Sequence, residues 1–88
     1  MKTYEFVEKV NTLGFGVVIL DLDVVVENSS GSNLLTILSD TRYALDTEWS
    51  YFELLDDETQ AELFGIAVEY ASTKPEERES NINKEWLW

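Results

Sequence analysis

Carboxylates are the chemical groups that this sequence offers in greatest number. Eighteen Asp and Glu occur in 88 residues, and the chain contains no histidine and no cysteine. Catalysis by a histidine-assisted Ser or Cys is therefore excluded. The pairs Asp21 with Asp23 and Asp56 with Asp57 would suit acid–base chemistry only if burial raised the pKa of one member. We expect the first pair to lie in a turn and the second to cap a helix, and we predict no enzyme.

The spacing of the residues also does not match a known type of metal or cofactor site. The run that begins at Asp21 and Asp23 lacks the third ligand and the glycine of an EF-type calcium loop. Gly14 and Gly16 are followed by neither a third glycine nor a Lys-Ser/Thr pair, so they do not form a phosphate-binding loop. The sequence predicts no cofactor and no metal.

The charge balance points to a protein partner. Only six Lys and Arg oppose the eighteen acids, and the formal net charge is −12. Such a field repels nucleic acid and attracts basic protein surfaces from a distance. We expect no direct binding of nucleic acid and no membrane association. Basic nucleic-acid-binding proteins are among the candidate partners.

The acids are densest between Asp40 and Glu62, where the only basic residue is Arg42 and the net charge is −7. If these carboxylates share one surface, they could imitate the phosphates of DNA and occupy a basic groove. An alternative is that they satisfy helix N-termini and keep the protein in solution. The candidate binding acids are Asp40, Asp46, Glu48, Glu53, Asp56, Asp57, Glu58 and Glu62.

A second candidate binding segment is the C-terminal run Trp86-Leu87-Trp88. Trp86 and Trp88 could anchor in the groove of a partner, because aromatic residues are enriched at binding hot spots. The segment could also pair with a copy of itself, which makes a homo-oligomer the competing hypothesis. Alternatively, it packs back on its own sheet and completes the core.

The elements that position these residues begin with a short amphipathic helix over residues 3–13, which Gly14 ends. Residues 15–27 are rich in β-branched residues and predict either one long strand or a hairpin that turns at Asp21–Asp23, which we favour on strand length. Residues 28–33 form a turn, and strands follow at 34–38 and at 43–47. Their short connections predict an antiparallel meander.

A longer helix is predicted over residues 57–72. Asp56-Asp57 supplies its N-cap, with Gln60 as the capping-box partner, and Pro75 lies beyond its end. Gly65 within it suggests close approach of a neighbouring backbone. One face of this helix is expected to lie against the sheet, and its predicted members are Leu63, Phe64, Ile66, Ala67, Tyr70 and Ala71.

The sequence as a whole predicts one small α+β domain. We expect a short N-terminal helix, a three- to four-stranded antiparallel meander sheet, and a longer C-terminal helix packed on one face. The domain spans residues 1–80, and residues 81–88 form a tail that either packs back or binds a partner. No secretory signal or membrane segment is visible, so we expect a cytoplasmic protein.

Several segments together resemble a family of small, acidic, uncharacterised proteins of phages and prophages of Gram-positive bacteria. The resemblance rests on 13–15, 43–47, Phe52 with Leu55, and above all Tyr70-Ala71-Ser72-Thr73-Lys74-Pro75-Glu76-Glu77-Arg78. Lys74 and the Trp-ended tail depart from the family pattern. The resemblance implies a phage accessory protein in the cytoplasm of a bacterial host, and it carries over no catalytic residue. The expected function is protein–protein binding without catalysis; assembly, as a homo-oligomer or with a virion component, is the alternative.

Overall fold

The computed structural model describes residues 1–47, 50–78 and 86–87. It has the predicted α+β class, with a short N-terminal helix, an antiparallel sheet and a longer C-terminal helix. The elements in chain order are α1 (Thr3–Thr12), β1 (Gly16–Ile19), β2 (Asp23–Glu27), β3 (Asn33–Leu38), β4 (Leu45–Asp46), α2 (Ser50–Glu53), α3 (Asp57–Ser72), a 3₁₀ turn (Pro75–Glu77) and β5 (Trp86–Leu87).

The sheet has the strand order β4-β3-β2-β1-β5, with every neighbouring pair antiparallel. Strands β1 to β4 form the predicted meander. The hairpin alternative is correct, since β1 and β2 pair from Gly16 opposite Glu27 to Ile19 opposite Val24. The backbone N–H of Leu20 closes the turn by donating to the carbonyl of Asp23 at 2.8 Å.

Helix α1 ends where its glycine permits a change of direction. Its buried residues Phe6, Val7 and Val10 form the apolar face of the predicted amphipathic helix and contact the core. Gly14 adopts φ +94°, a left-handed conformation that favours glycine, and its N–H donates to the carbonyl of Asn11 at 2.9 Å. The glycine stop predicted from the sequence is thus confirmed.

The core lies between helices α1 and α3 and one face of the sheet. Register places Val17, Val26 and Leu35 in one row across β1, β2 and β3, and all three are fully buried. A bulge opposite Val26 and Glu27 lets the adjacent residues Leu34 and Leu35 both join the same core cluster, which strict alternation along a strand would not allow.

The strand predicted at 43–47 is shorter than expected, because tertiary contacts hold its first residues elsewhere. Tyr43 adopts φ +68°, unusual for a bulky side chain, and its N–H donates to the carbonyl of Ala71 at 2.7 Å. The chain therefore pairs with β3 only at Leu45–Asp46. The loop before β4 instead closes the C-terminal end of α3.

The capping of α3 agrees with the prediction at one residue and differs at another. Asp56 is the N-cap, and its Oδ1 accepts from the N–H of Thr59 at 2.7 Å. Gln60 is not the capping-box partner. Its Nε2 donates instead to the carbonyls of Glu53 and Leu55, at 3.2 and 2.7 Å, and so closes the unpredicted helix α2.

Gly65 also departs from its prediction, because a Cβ at this position would meet nothing within 4 Å. It lies on the exposed side of α3, and no backbone of the described residues approaches it closely. Among the described residues, no helix is long and apolar enough to cross a membrane.

Candidate functional site

The outer side of α3 carries apolar residues that the sequence assigned to the core. Phe64 was predicted to face the sheet, yet 46% of it is exposed, and Val68 one turn later is 42% exposed. With exposed Ala61 they follow the spacing i, i+3, i+7 and so lie along one line of the helix. We call Ala61, Phe64 and Val68 the apolar stripe.

A shallow groove adjoins the apolar stripe at the N-terminal end of α3. It has a volume of about 310 Å³ and is lined by Phe52, Asp57, Gln60, Ala61 and Phe64. The preceding segment leaves further apolar side chains in solvent, since Tyr51 and Leu54 are both exposed. The Gln60 side chain holds the two helices together through the carbonyls at the end of α2, so the groove has a fixed wall.

Carboxylates border the apolar stripe along its length. Glu58, Glu62 and Glu69 are exposed and lie on one side of it, at the spacing i, i+4, i+11. Gly65 occupies the i+7 position of the same line. We call Glu58, Glu62 and Glu69 the acidic stripe. Together the two stripes give α3 an outer surface that is apolar on one side and negatively charged on the other.

Seven of the eight acids that the sequence grouped together lie within the described residues, and the structure separates them. Five of them lie at the end of α2, at the N-cap of α3 or in the first half of α3: Glu53, Asp56, Asp57, Glu58 and Glu62. Asp40 lies in the loop whose neighbouring residues contact the other end of α3, about 22 Å away by the helical rise. Glu48 lies outside the described residues.

Asp46 lies on the other side of the sheet from α3. It pairs with Thr36, whereas the neighbouring pair of Ile37 and Leu45 packs in or against the core. Because successive side chains of a strand point to opposite faces, Asp46 belongs to the face without the long helices. Glu69, in contrast, adjoins the α3 acids and was not among the predicted residues.

Asp56 has a structural task within the acidic end of α3. The hydrogen bond from the Thr59 N–H, which only the ionised carboxylate accepts fully, holds the pKa of Asp56 below its ordinary value. A general acid would need a shift in the opposite direction. Among the described residues, no group of three or more acidic side chains could hold a metal ion.

Two residues of the C-terminal tail, Trp86 and Leu87, form a strand at the edge of the sheet. The backbone of β5 pairs with β1, Trp86 opposite Val18 and Leu87 opposite Val17. Trp88 lies outside the described residues. The backbone pairing places this part of the tail on the chain's own sheet.

Arg78 is the most heavily bonded side chain that the sequence did not single out. It is only 3% exposed, and its guanidinium donates to backbone carbonyls at the end of β3 and at the C-terminal end of α3. Nε bonds Thr73 at 3.0 Å, Nη1 bonds Leu38 at 2.8 Å, and Nη2 bonds Ala71 at 3.0 Å. Burial lowers the pKa of Arg78 from its ordinary value. We call this arrangement the Arg78 clamp.

Aromatic and hydroxyl groups complete the Arg78 clamp. The guanidinium carbon lies 4.9 Å from the centre of the Tyr70 ring, and that ring stacks on Phe6 at 4.3 Å. Thr3 Oγ1 donates to the carbonyl of Arg78 at 2.9 Å and lies 2.8 Å from the Tyr70 hydroxyl. Burial raises the pKa of Tyr70. Because its bonds are internal and its surface is closed, the clamp stabilises the fold and presents no ligand site.

Comparison with known proteins gives no matching family model, no matching curated protein and no matching solved structure. What the protein does is therefore inferred from the geometry of the chain itself.

Proposed function

We propose that this protein acts without catalysis, by binding another protein through the outer surface of α3. The observation that carries the proposal is the exposure of Phe64 and Val68 beside the acidic stripe on one regular helix. Exposed apolar residues in a line are costly to keep in water unless a partner covers them. A helix also holds its side chains at fixed spacing, which reduces the entropy lost on binding.

The surface favours a partner segment that is itself an amphipathic, basic helix. Apolar side chains at i, i+3 and i+7 of a partner would cover Phe64 and Val68, and Lys or Arg beside them would face Glu58 and Glu62. The overall charge of −12 would speed the encounter with such a segment. Imitation of DNA is less well supported, because a row of phosphates has no counterpart to the apolar stripe.

The resemblance noted in the sequence supports the biological setting of this proposal. A phage or prophage accessory protein in the bacterial cytoplasm would act by occupying a surface of a host or phage protein. The structural role of the Tyr70–Arg78 segment bears on this idea, because that segment carries most of the resemblance and forms most of the Arg78 clamp. Shared residues there would reflect shared folding.

A direct test uses a synthetic amphipathic helix of Leu and Lys as the probe. Fluorescence anisotropy should show binding of this peptide and at least tenfold weaker binding of a scrambled peptide with the same composition. Phe64→Gln and Val68→Gln should each weaken binding about tenfold, equivalent to about 1.4 kcal/mol. Leu22→Gln is the matched control, because Leu22 is 61% exposed in the β1–β2 turn, far along the chain from α3.

Two results would contradict the proposal. Equal binding by the Phe64 and Leu22 variants would mean that the apolar stripe is not the contact. Equal binding of the ordered and scrambled peptides, lost at high salt, would mean that charge alone attracts the probe.

Assembly into a homo-oligomer is the competing function, and sedimentation distinguishes it. Pairing of two α3 surfaces would bring two acidic stripes together, so we expect a monomer at low salt. A symmetric oligomer that survives high salt and is lost on deletion of Trp86–Trp88 would favour assembly instead.

A further inference from the structure

The face of the sheet opposite α3 contains a larger groove that the proposed function does not use. Its volume is about 590 Å³, within the range of small-molecule sites in proteins. Register places Val25, Thr36 and Asp46 in one row across β2, β3 and β4, and this row crosses the groove. The lining residues are Leu20, Asp23, Val25, Asn33, Thr36, Leu38, Ala44, Leu45 and Asp46.

The chemistry of this groove combines an apolar floor with negative charge at two corners. Val25 lies on the same face of the sheet as Thr36, because these two residues pair directly. Leu38 also lies on that face, because it is two residues from Thr36 along β3. The charged residues of the lining are Asp23 and Asp46, both carboxylates. With strands about 4.8 Å apart and a rise of about 3.3 Å per residue, their Cα atoms lie about 12 Å from each other.

We propose that this groove binds a small aliphatic polyamine, a chain of methylene groups with an ammonium group towards each end. The methylene chain would cover Val25 and Leu38, and the two ammonium groups would contact Asp23 and Asp46. Among the described residues, Asp23 and Asp46 do not belong to a group of three or more side chains that could hold a metal ion. The negative field of the whole protein draws the same class of cation towards the groove.

Isothermal titration with spermidine at physiological salt tests the proposal. Asp23→Asn and Asp46→Asn should each weaken binding about tenfold, and an uncharged aliphatic diol of similar length should bind at least tenfold more weakly. Glu69→Gln is the matched control, because it removes the same charge from the acidic stripe on the other side of the molecule and should change the affinity less than twofold. Amide NMR shifts should cluster at Thr36, Ala44 and Leu45.

Three results would overturn this assignment. Equal weakening by Glu69→Gln and Asp46→Asn would mean that spermidine only condenses on a negative surface. If Leu38→Ser keeps the thermal midpoint and binds spermidine with unchanged affinity, the apolar floor does not contribute to binding. Tighter binding of a Lys-rich peptide than of spermidine, dependent on Asp23 and Asp46, would assign the groove to a protein segment instead. None of these outcomes affects the stripes of α3, so the two proposals succeed or fail separately.

Discussion

The two ends of α3 differ in whether their charged side chains are buried or exposed. At the C-terminal end, the guanidinium of Arg78 is buried and all its described bonds go to uncharged carbonyl groups. At the N-terminal end, Asp56, Asp57 and Glu58 are exposed, where the positive end of the helix dipole favours acids. The charge of Arg78 is therefore buried in the protein, whereas the three carboxylates face solvent or a partner.

The contrast indicates a division of labour along one helix. The C-terminal end connects α1, the loop after β3 and the 3₁₀ turn, so its bonds hold distant parts of the chain together. The N-terminal end has few such bonds and exposes Phe64 instead. We expect substitutions at the first end to lower stability and substitutions at the second to lower binding.

The largest loss of stability should follow Arg78→Met. This change leaves carbonyls of Leu38, Ala71 and Thr73 without their donor, and we expect the free energy of unfolding to fall by about 3–5 kcal/mol. Urea denaturation measures it. Arg42→Met is the control: Arg42 is exposed and bonds the carbonyl of Ser72, and its loss should cost about 0.5–1 kcal/mol. If both variants lose the same free energy of unfolding, the Arg78 clamp contributes no more to stability than an exposed arginine does.

Neighbouring residues of α3 should respond very differently to alanine. Leu63 is fully buried, and Leu63→Ala should cost about 3 kcal/mol through lost burial and the cavity left behind. Phe64→Ala should cost less than about 1 kcal/mol, because much of its ring is already in water. Thermal unfolding of the two variants checks the pair. A similar cost at both positions would place Phe64 in the core after all.

The hydroxyl pair beneath the Arg78 clamp should contribute less. Thr3→Val leaves the buried Tyr70 hydroxyl without its partner and should cost about 1–2 kcal/mol. Tyr70→Phe should cost about 1 kcal/mol. The double variant should cost less than the sum of the two single variants, because both changes break the same hydrogen bond between Thr3 and Tyr70. A strictly additive double-mutant cycle would show that the hydroxyls do not act together.

Two glycines should give alanine effects of opposite sign. Gly65→Ala should raise the free energy of unfolding by about 0.5–1 kcal/mol, since the helix has open space there. Gly14→Ala should lower it by about 1 kcal/mol, because φ +94° strains any side chain. If Gly65→Ala is also destabilising, other atoms must lie close to the Cβ at this position of α3. If it weakens peptide binding, the partner approaches α3 closely at that point.

The smallest effect should be a pH dependence at the N-cap. The folded-state pKa of Asp56 is lowered, so its contribution to stability is complete above its unfolded pKa and is lost as the pH falls through the folded value. Asp56→Asn keeps a capping side chain and removes this titration. The difference in thermal midpoint between wild type and variant should therefore shrink below about pH 4. A constant difference would assign the acid response to other carboxylates.

Much of the fold followed from local patterns in the sequence. The bounds of α3 were predicted correctly because its capping residue, its period and Pro75 agree over sixteen residues. The β1–β2 hairpin followed from strand length. The strand at 43–47 was wrong in extent, since the bond from Tyr43 to Ala71 joins residues that no local pattern connects.

The candidate site was harder to predict, because it also depends on contacts between residues that lie far apart in the chain. Local periodicity gave Phe64 an apolar position, but only the packing of α3 decides which edge of a broad apolar face reaches the sheet. Arg78 follows two glutamates, which is typical of a solvated run, and its acceptors include a carbonyl forty residues earlier. Glu69 could have been found by extending the spacing of Glu58 and Glu62 along the helix.

The bonds between Thr3 and Arg78 have a consequence for how the chain reaches its folded state. They join residues 75 positions apart, so the first helix acquires these neighbours only after the chain has been made as far as Arg78. A growing polypeptide on the ribosome would hold α1 and the meander without the element that fixes them. These contacts should therefore form only after Arg78 has been synthesised, and fragments that stop before Arg78 should be sensitive to proteases.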